Sequence, residues 1–593
     1  MKQITAKNKT KHNVPTNAVA KRMLQYIRPY RFSLIFSLIC AIISVTLSLM
    51  APILIGKAVD NIIDKGEVNF DKILPILLYL LLAIGGSAVF QWMMTFFTNR
   101  ITFKTVKDLR NQVYKKLDQV PLSYVDGNSH GNIINRMVND IDAISDGLLQ
   151  GFAGLFTGVV TIIVTIIFMI SINPHIAIAV ILITPLSLFV AAFITRRIYS
   201  KFKEQSKLKG EMGGLIEEMI GNQKLIKLLS YEDRASDRFQ EINQRLHECG
   251  VTAQFYSSLT NPCTRFVNGI VYATVGIYGA FTAINGLISI GQLSGFLAYA
   301  NQYTKPFNEI SGIITELQSA MASAQRVFAL LDETEESSEE GLLEEASGNG
   351  LVEINHVDFS YQKDVELISD FTLQVEPGQR IAIVGPTGSG KTTVINLLMR
   401  FYDTDRGQIK VNGIDIKDMK RRTLRSLYGM VLQDTWLFNG TVRDNIAYGK
   451  EDATQEEVIL AAKASHAHSF IKRLPKGYDT VLSEDGGNIS QGQKQLLCIA
   501  RVMLMKPSML ILDEATSNID TLTEIKIQKA FNALMEGRTS FVVAHRLSTI
   551  KEADRILVMN NGQIIEQGNH EELINRNGFY AKLYHSVDNK EQN

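Results

Sequence analysis

Long apolar runs fill the first half of the chain, and shorter apolar runs fill the second half. A helix that crosses a bilayer needs about 20 mostly apolar residues. Six stretches reach that length, at 32–59, 73–100, 148–172, 175–195, 266–287 and 290–315. Polar residues interrupt the last stretch. It is nevertheless counted as a span, because a sixth crossing returns the chain to the side of the membrane on which it began. The pattern therefore predicts a six-helix transmembrane bundle.

Charged segments with a helical pattern occupy 101–147 and 196–261, between the predicted spans. At about 1.5 Å of rise per residue, each can project well beyond the bilayer and return as a helical extension. The N-terminal segment is rich in Lys, whereas the turns 171–175 and 285–289 contain neither Lys nor Arg. Positive residues favour the cytoplasmic side, so both termini and both extensions are expected there. No cleaved signal is expected, because the first apolar run is far longer than a signal-peptide core.

The pattern changes beyond residue 350 to short β-branched strands that alternate with helices. This alternation predicts an α/β domain with parallel strands. An acidic segment that contains Gly and Ser lies at 333–350 and is expected to be a linker. The predicted organisation is a transmembrane domain at 1–332, this linker, and an α/β domain at 351–593.

The overall charge changes this picture little, since 61 Lys and Arg residues balance 60 Asp and Glu residues. Such a balance gives no reason to expect a nucleic-acid partner. The four cysteines are far apart and form no CxxC pair. Neither a disulfide framework nor a zinc site is therefore expected.

A glycine-rich loop follows the apolar strand at 380–384 and leads into an apolar helix. The loop fits the pattern GxxxxGK[ST], in which backbone N–H groups surround phosphate oxygens at a helix N-terminus. Lys391 would supply a cation to the β- and γ-phosphates, and Thr392 a hydroxyl to Mg²⁺. The predicted ATP-binding residues of the loop are Gly385, Pro386, Thr387, Gly388, Ser389, Gly390, Lys391, Thr392 and Thr393.

Two further apolar strands end in residues that suit a nucleotide site. The strand at 509–512 is followed by Asp513, which would hold Mg²⁺, and by Glu514, which would orient or deprotonate the attacking water. The strand at 540–544 is followed by His545, which could contact the γ-phosphate. Taken alone, each could also be a strand that meets a polar loop, or a structural histidine.

The order of these motifs resembles that of the ATP-binding cassette (ABC) ATPases. Tyr361 resembles the aromatic residue that stacks on adenine, and Gln433 resembles the Q-loop glutamine, which contacts the metal and senses the membrane domain. His545 resembles the switch histidine, Glu484 lies in a segment similar to the exporter X-loop, and 517–520 resembles the D-loop. The resemblance implies that Glu514, His545 and Gln433 are catalytic and that Thr392, Gln433 and Asp513 hold Mg²⁺.

The run Ile489–Gln493 resembles the signature of the same family, usually written LSGGQ. In that family two cassettes sandwich two ATP molecules, and the signature of one grips the ATP held by the other. The resemblance implies that ATP bound to a partner is contacted by Ser490, Gln491, Gly492 and Gln493.

The membrane half resembles that of ABC exporters, in which six spans and long cytoplasmic extensions precede one cassette. Residues 124–136 resemble the first coupling region, and 217–227 resemble the segment around the second, which docks on the partner's cassette in the family. The chain is thus similar to a half-transporter of the type IV fold, which implies a multidrug type of ATP-driven export of hydrophobic or amphipathic compounds by alternating access. The lack of targeting signals suits a bacterial plasma membrane.

The membrane half gives weaker indications of the substrate. Few full charges lie within the spans, which argues against an ion-driven carrier. Arg265 and Lys305 lie near the fifth and sixth spans, but they do not form the large cationic cluster that a lipid or lipid-linked flippase would be expected to carry. Asn268, Asn301 and Gln302 could bind substrate or join helices. An ATP-gated protein that does not pump is a further alternative, which Glu514 argues against.

Four aromatic side chains fall on one face of the sixth predicted span. They could line a cavity for aromatic, amphipathic substrates. Helix packing is the favoured alternative, because it is the commoner role of such a stripe. The four candidate substrate residues are Phe296, Tyr299, Tyr303 and Phe307.

The signature departs from the family pattern at two positions. Ile489 replaces Leu, which changes little, and Gln491 replaces Gly, which adds a side chain where backbone approaches phosphate. In heterodimeric ABC exporters the subunit that keeps the catalytic glutamate often carries the variant signature. The resemblance to that catalytic subunit implies a heterodimer with a second half-transporter, and the alternative is a homodimer that tolerates Gln491.

Overall fold

The computed structural model describes residues 16–62, 68–346, 348–362, 367–432, 435–450, 452–483, 488–513, 519–544 and 547–591. The chain divides into two compact units. The helical unit comprises Met1–Val120 and Asn128–Thr334, and the α/β unit comprises Pro121–Gly127 and Glu335–Asn593. The predicted fold class, a helical membrane bundle followed by an α/β nucleotide-binding domain, agrees with this architecture.

The helical unit consists of long helices with short connections. Two π-helical turns, Arg136–Asp140 and Gly151–Leu155, join three of its shorter helices. Its α-helices are α1 (Thr16–Ile27), α2 (Arg31–Asp60), α3 (Phe70–Leu117), α5 (His130–Asn135), α6 (Ile141–Gln150), α7 (Phe156–Ile172), α8 (Pro174–Ile183), α9 (Pro185–Gly221), α10 (Gln223–Leu228), α11 (Glu232–Ile284) and α12 (Ile290–Leu331). The intervening helix α4 (Leu122–Gly127) belongs to the α/β unit.

All six predicted spans are helical, but they do not all qualify as continuous apolar helices. Within the described residues, four helical segments are long and apolar enough to cross a membrane: Asn17–Asp60, Phe70–Leu117, His130–Ile172 and Glu232–Ile284. The fourth predicted span is divided between α8 and α9 because Pro185 begins a new helix. The sixth lies in α12, whose polar residues lower its mean hydropathy.

The ends of α2 and α12 meet at two glycines. A β-carbon on Gly291 would lie 1.9 Å from the carbonyl oxygen of Gly56, so only glycine allows this approach. The carboxylate of Asp60 accepts hydrogen bonds from the Gly291 N–H at 2.7 Å and the Ser289 hydroxyl at 2.6 Å. Asp60 therefore satisfies free N–H groups at the start of α12 and fixes the two helices together.

The described residues of the α/β unit form twelve strands and several short helices. Its strands are β1 (Val352–Phe359), β2 (Ile368–Val375), β3 (Arg380–Val384), β4 (Arg406–Val411), β5 (Ile414–Asp415), β6 (Tyr428–Val431), β7 (Gly440–Thr441), β8 (Val481–Leu482), β9 (Met509–Asp513), β10 (Thr539–Val543), β11 (Arg555–Asn560) and β12 (Gln563–Gly568). Its helices after α4 are α13 (Lys391–Leu398), α14 (Arg421–Ser426), α15 (Val442–Ala447), α16 (Gln455–Ala464), α17 (His468–Ile471), α18 (Gln491–Met505), α19 (Thr521–Met535), α20 (Leu547–Lys551), α21 (His570–Asn575) and α22 (Phe579–Glu591).

A six-stranded sheet in the order β12-β11-β3-β10-β9-β6 forms the centre of the α/β unit. Strands β11, β3, β10, β9 and β6 are parallel, and β12 is an antiparallel edge. Side chains alternate between its two faces, so Ile381 and Ile383 enter one core while Ala382 and Val384 enter the other. Burial on both faces explains why the strands are almost wholly apolar. A four-stranded antiparallel sheet, β2-β1-β4-β5, accompanies it.

Part of the predicted linker is bonded to the α/β unit. The Arg421 guanidinium forms ion pairs with Glu336 at 3.2 Å and with Glu339 at 3.0 Å. The N–H of Leu343 donates to the carbonyl of Asp418 at 3.0 Å. These contacts fix the acidic residues after Glu335 on the α/β unit, so this stretch is more than a free tether.

Candidate ATP-binding site

The loop between β3 and α13 has the backbone shape of a phosphate cradle. Gly388 has φ +84° and Gly390 has φ +99°, values that favour glycine over residues with a β-carbon. Gly390 also occupies the N-cap of α13. The first N–H groups of that helix lack helical partners, and the helix dipole adds partial positive charge. The sequence thus builds an anion site where β3 ends.

Lys391 lies at the first position of α13, and its ammonium folds back over the loop. Its Nζ donates to the carbonyl oxygens of Gly385 at 2.8 Å and Pro386 at 3.0 Å. Burial lowers the pKa of Lys391, and the nearby Asp513 carboxylate acts in the opposite direction. The position puts a cation beside the N–H groups of the loop, where phosphate oxygens need one.

The sheet brings Asp513 to the same edge as the loop. Val543 pairs in register with Asp513 on one side and with Ile383 on the other, so the ends of β9 and β3 are aligned. The carboxyl edge of a parallel sheet is where nucleotides bind in α/β proteins. A cavity of about 460 Å³ there is lined by Leu367, Thr387, Gly388, Gly390, Lys391, Thr392, Thr393, Asp513 and Val543.

These residues fit a nucleoside triphosphate with a hard divalent cation. The Ser389 hydroxyl is buried and has no hydrogen-bond partner among the described residues. The Thr392 hydroxyl and the Asp513 carboxylate line one cavity, and oxygen ligands of this kind suit Mg²⁺, which usually keeps water and phosphate as its other ligands. The described residues hold no cluster of three His, Cys, Asp or Glu side chains, so a metal bound wholly by such side chains is not indicated among them.

Several predicted residues lie outside the described part of the chain. They are Gln433, Glu484, Glu514, Ser517 and His545. The three predicted catalytic residues are among them. Their roles remain predictions from the sequence.

Tyr361 belongs to an aromatic group rather than to the phosphate cavity. Its ring meets the rings of Phe359 and Tyr402 edge-on, each at 4.9 Å, and Asn396 Nδ2 donates to its hydroxyl at 3.0 Å. The side chain is 46% exposed, which leaves surface for an adenine ring to cover. The neighbours hold the ring in a fixed orientation, as a stacking platform requires.

Tyr402 gives a direct contact between this aromatic group and α4. Its hydroxyl donates to the carboxylate of Asp126, and burial followed by this bond raises the pKa of Tyr402. Asp126 lies in the predicted first coupling region, part of which belongs to the α/β unit. None of the sequence motifs includes Tyr402. The sequence feature that could have drawn attention to it is the aromatic pair Phe401–Tyr402, shortly after α13.

The predicted signature lies at the start of a helix. Ser490 is the N-cap of α18, where its hydroxyl accepts from the Gln493 N–H at 3.3 Å and the Gln493 side chain accepts from the Ser490 N–H at 3.0 Å. This capping box fixes the start of the helix. The signature residues do not line the cavity of the glycine loop. Within the part of the chain that the structure describes, the two predicted halves of an ATP site are therefore not found around this cavity.

Gln491 and Gly492 differ in what they contact. The Gln491 side-chain amide donates to the Thr435 hydroxyl at 3.2 Å. A β-carbon on Gly492 would lie 2.5 Å from Thr523 Cγ2 and 3.0 Å from Ile519 Cγ2, so glycine allows α18 to approach α19. Glycine is thus needed at 492 for packing within this chain, whereas 491 accommodates a side chain.

The predicted aromatic face of α12 is largely buried in the helical unit. Phe296 and Tyr299 are 0% exposed, and Tyr303 is 3% exposed. The Tyr299 hydroxyl donates to the carbonyl of Leu49 at 2.5 Å, which joins α12 to α2. Phe307 packs partly buried against the same core. This burial favours helix packing, the alternative already weighed for these residues.

Comparison with known proteins agrees with this architecture. The ABC transporter transmembrane region family matches residues 34–307, and the ABC transporter family matches residues 368–517. The chain is 42% identical to the fatty acid ABC transporter ATP-binding/permease protein of Mycobacterium bovis over 524 residues, 88% of this chain and 83% of that one. It is 34% identical to the ATP-dependent lipid A-core flippase of Syntrophus aciditrophicus over 574 residues, 95% and 94% of the two chains.

A solved structure shows the same fold. A bacterial Atm1-family ABC exporter with ATP bound aligns with a TM-score of 0.74 and 26% identity, covering 97% of this chain and 99% of that chain. The predicted class of protein is confirmed by these findings. The chain belongs to the ABC transporter family and is an exporter-type half-transporter, a membrane protein whose ATPase domain binds and hydrolyses ATP to drive export.

Proposed function

We propose that this half-transporter exports hydrophobic or amphipathic compounds across a bacterial plasma membrane, with its termini and ATPase domain in the cytoplasm. The observation that carries the proposal is the cavity shared by Lys391, Thr392 and Asp513, in a chain that also has apolar membrane helices. We also propose that the functional division follows a transmembrane domain at 1–332, a linker at 333–350 and an ATPase domain at 351–593.

The residues of the ATPase domain would divide the work of hydrolysis. Lys391 and the N-terminus of α13 would bind the phosphates, and Tyr361 would stack on adenine. Thr392, Asp513 and Gln433 would hold Mg²⁺, which neutralises phosphate charge when bound. Glu514 would orient or deprotonate the attacking water. His545 would contact the γ-phosphate.

Lipid-like compounds are the second candidate substrate class. Two relatives carry names that concern a fatty acid and lipid A-core. A lipid flippase and an amphiphile exporter need the same alternating access, and they differ in the molecule that the membrane domain accepts. The multidrug type remains the main proposal because Arg265 and Lys305 do not form a large cationic cluster beside the spans.

Replacement of Glu514 by Gln tests the assignment of the hydrolytic residue. The amide has the shape of the carboxylate but cannot accept the proton, so Glu514→Gln should bind ATP and reduce turnover by about a hundredfold or more. Purified protein in lipid would be assayed for phosphate release and for retained radiolabelled ATP. Glu536→Gln, at the exposed end of α19, serves as the control and should behave like wild type. Near-normal turnover of Glu514→Gln would reject Glu514 as the catalytic carboxylate.

ABC exporters act as dimers, and we propose that this chain pairs with a different half-transporter. Gln491 is the supporting observation, since it places a side chain at a position where the family signature has Gly. That variant signature would serve the partner's ATP and not the ATP bound at Lys391. A homodimer that tolerates Gln491 is the alternative.

A further inference from the structure

A second cavity, of about 550 Å³, lies inside the helical unit and is separate from the ATP site. Helices α2, α3, α7 and α12 form its walls. Val45, Leu49 and Ile84 contribute apolar surface, whereas Gln302, Lys305 and Glu309 contribute polar groups from α12. The cavity is thus amphipathic, with its charged groups confined to one helix.

Most hydroxyl groups of the cavity wall already have hydrogen-bond partners within the helical unit. The Ser44 hydroxyl donates to the Ser87 carbonyl at 2.9 Å, and the Ser87 hydroxyl donates to the Ser44 carbonyl at 2.9 Å. The Thr161 hydroxyl donates to the Thr157 carbonyl at 2.7 Å. The Ser44 and Ser87 bonds therefore join α2 to α3, the Thr161 bond lies within α7, and the charged side chains of the lining all come from α12.

Lys305 and Glu309 lie one helical turn apart on the same face of α12, with a rise between them of about 6 Å. Both line the cavity, yet among the described residues neither forms an ion pair within 4 Å. The order Lys before Glu is the weaker arrangement for a pair four residues apart. Each charge is consequently available to a ligand.

Gln302 adds an acceptor one turn before Lys305. Its side-chain oxygen is buried and has no hydrogen-bond partner among the described residues. Pro306 follows, and since proline has no N–H it cannot donate to the Gln302 carbonyl four residues earlier. Polar atoms without partners inside a membrane helix are costly and commonly mark a binding site.

We propose that this cavity binds the head group of a zwitterionic amphiphile, a molecule that carries both an ammonium and an acidic group next to a hydrocarbon chain. This inference rests on the proposed export function. Lys305 binds the acidic group, and Glu309 binds the ammonium. Val45, Leu49 and Ile84 contact the chain. A singly charged amphiphile would be attracted by one of these two protein charges and repelled by the other, which would stay uncompensated.

Three amphiphiles of equal chain length test the inference: lysophosphatidylethanolamine, lysophosphatidic acid and a primary alkylamine. Each is added to the transporter in nanodiscs below its micelle concentration, and ATPase stimulation and equilibrium binding of the radiolabelled compound are measured. Wild type should bind the zwitterion about tenfold more tightly than either singly charged compound. Lys305→Gln should shift the preference to the alkylamine, and Glu309→Gln should shift it to lysophosphatidic acid.

The double reversal Lys305→Glu with Glu309→Lys guards against poor folding of the single variants. It keeps both charges and should retain preference for the zwitterion. Lys57→Gln and Glu316→Gln change exposed residues outside the cavity and should match wild type. A wild-type preference for either singly charged compound, or an unchanged preference in both single variants, would overturn the proposal.

The same nanodiscs separate failure of this inference from failure of the proposed function. Loss of basal ATPase in Glu514→Gln supports the transporter assignment independently of any amphiphile. If that loss occurs and all three amphiphiles act alike, only the head-group site is rejected. If Glu514→Gln hydrolyses ATP like wild type, the proposed hydrolytic mechanism is rejected instead.

Discussion

Lys391 connects a sequence pattern to an electrostatic task at the scale of single residues. Its ammonium contacts two loop carbonyls, and the Asp513 carboxylate lies near enough to influence its pKa. Without a cation at this position, the N–H groups of the loop and the dipole of α13 face several phosphate charges with only partial positive charge. The side chain is therefore expected to matter for binding more than for folding.

Lys391→Ala should weaken ATP binding by about a hundredfold or more, because one charge-assisted contact to phosphate is lost. Its thermal unfolding should stay close to that of wild type, since the ammonium bonds only to loop carbonyls. Binding of a fluorescent ATP analogue measures the affinity, with Lys526→Ala on the exposed side of α19 as control. Undiminished affinity in Lys391→Ala would refute the assignment of the glycine loop.

The sequence predicted the residues of this loop because glycine, lysine and threonine at fixed spacing have few other uses after an apolar strand. It could not predict where the Gln491 side chain goes, since its bond to Thr435 depends on a loop 56 residues away in sequence. It also could not separate substrate contact from packing at Tyr299. A stripe of aromatic residues specifies a helix face but not the helix that covers it.

At the scale of elements, α12 has two faces with different roles. One carries Phe296, Tyr299 and Tyr303 into the core of the helical unit. The other presents Lys305 and Glu309 to the cavity. The aromatic stripe is evident from the sequence because its spacing is regular. In the sequence, the polar residues Lys305 and Glu309 are only interruptions of an apolar span. Their placement on one wall became visible only once the neighbouring helices were known.

Truncation of Tyr299 should act on stability and on all substrates alike. Tyr299→Phe removes one hydrogen bond to Leu49 and should cost about 0.5–1 kcal/mol. Tyr299→Ala also leaves a cavity and should cost about 3–5 kcal/mol, seen as lower yield of folded protein. Size-exclusion chromatography after heating measures both, with Phe281→Ala, which is 66% exposed, as control. A change in substrate preference without loss of stability would instead assign Tyr299 to the binding site.

The fourth predicted span shows the limit of hydropathy for elements. Its residues are apolar throughout 176–183, but the helix is interrupted before Pro185. Length and composition alone cannot distinguish one bent span from two helices. The two-unit division was easier to anticipate, because composition changes sharply where the apolar helices end, although the assignment of Pro121–Gly127 to the α/β unit was not foreseen.

At the scale of the whole molecule, the separation of Ser490 from the phosphate cavity is the central feature. The N-terminus of α18, which we propose as an anion site, does not line that cavity. We therefore propose that a second cassette completes each ATP site. Gln491 then affects the site that holds the partner's nucleotide, which is why the identity of the partner matters.

The heterodimer proposal predicts weak activity for the chain alone. Protein purified without a partner should show low ATPase in lipid, and Gln491→Gly should raise it several-fold by restoring close approach of backbone to phosphate. Ile489→Leu is the matched control and should change little. Robust substrate-stimulated ATPase and transport from the pure homodimer would defeat the proposal.

ATP-dependent transport in sealed vesicles tests the central claim, that this chain drives export by hydrolysing ATP. The transporter, with its partner if one is needed, is placed in inside-out vesicles. Mg²⁺-ATP is added to the outside solution, and uptake of a fluorescent amphiphile into the vesicles is followed. The account predicts uptake that requires ATP and is lost in both Lys391→Ala and Glu514→Gln. Uptake that continues without ATP, or that persists in Glu514→Gln, would contradict it.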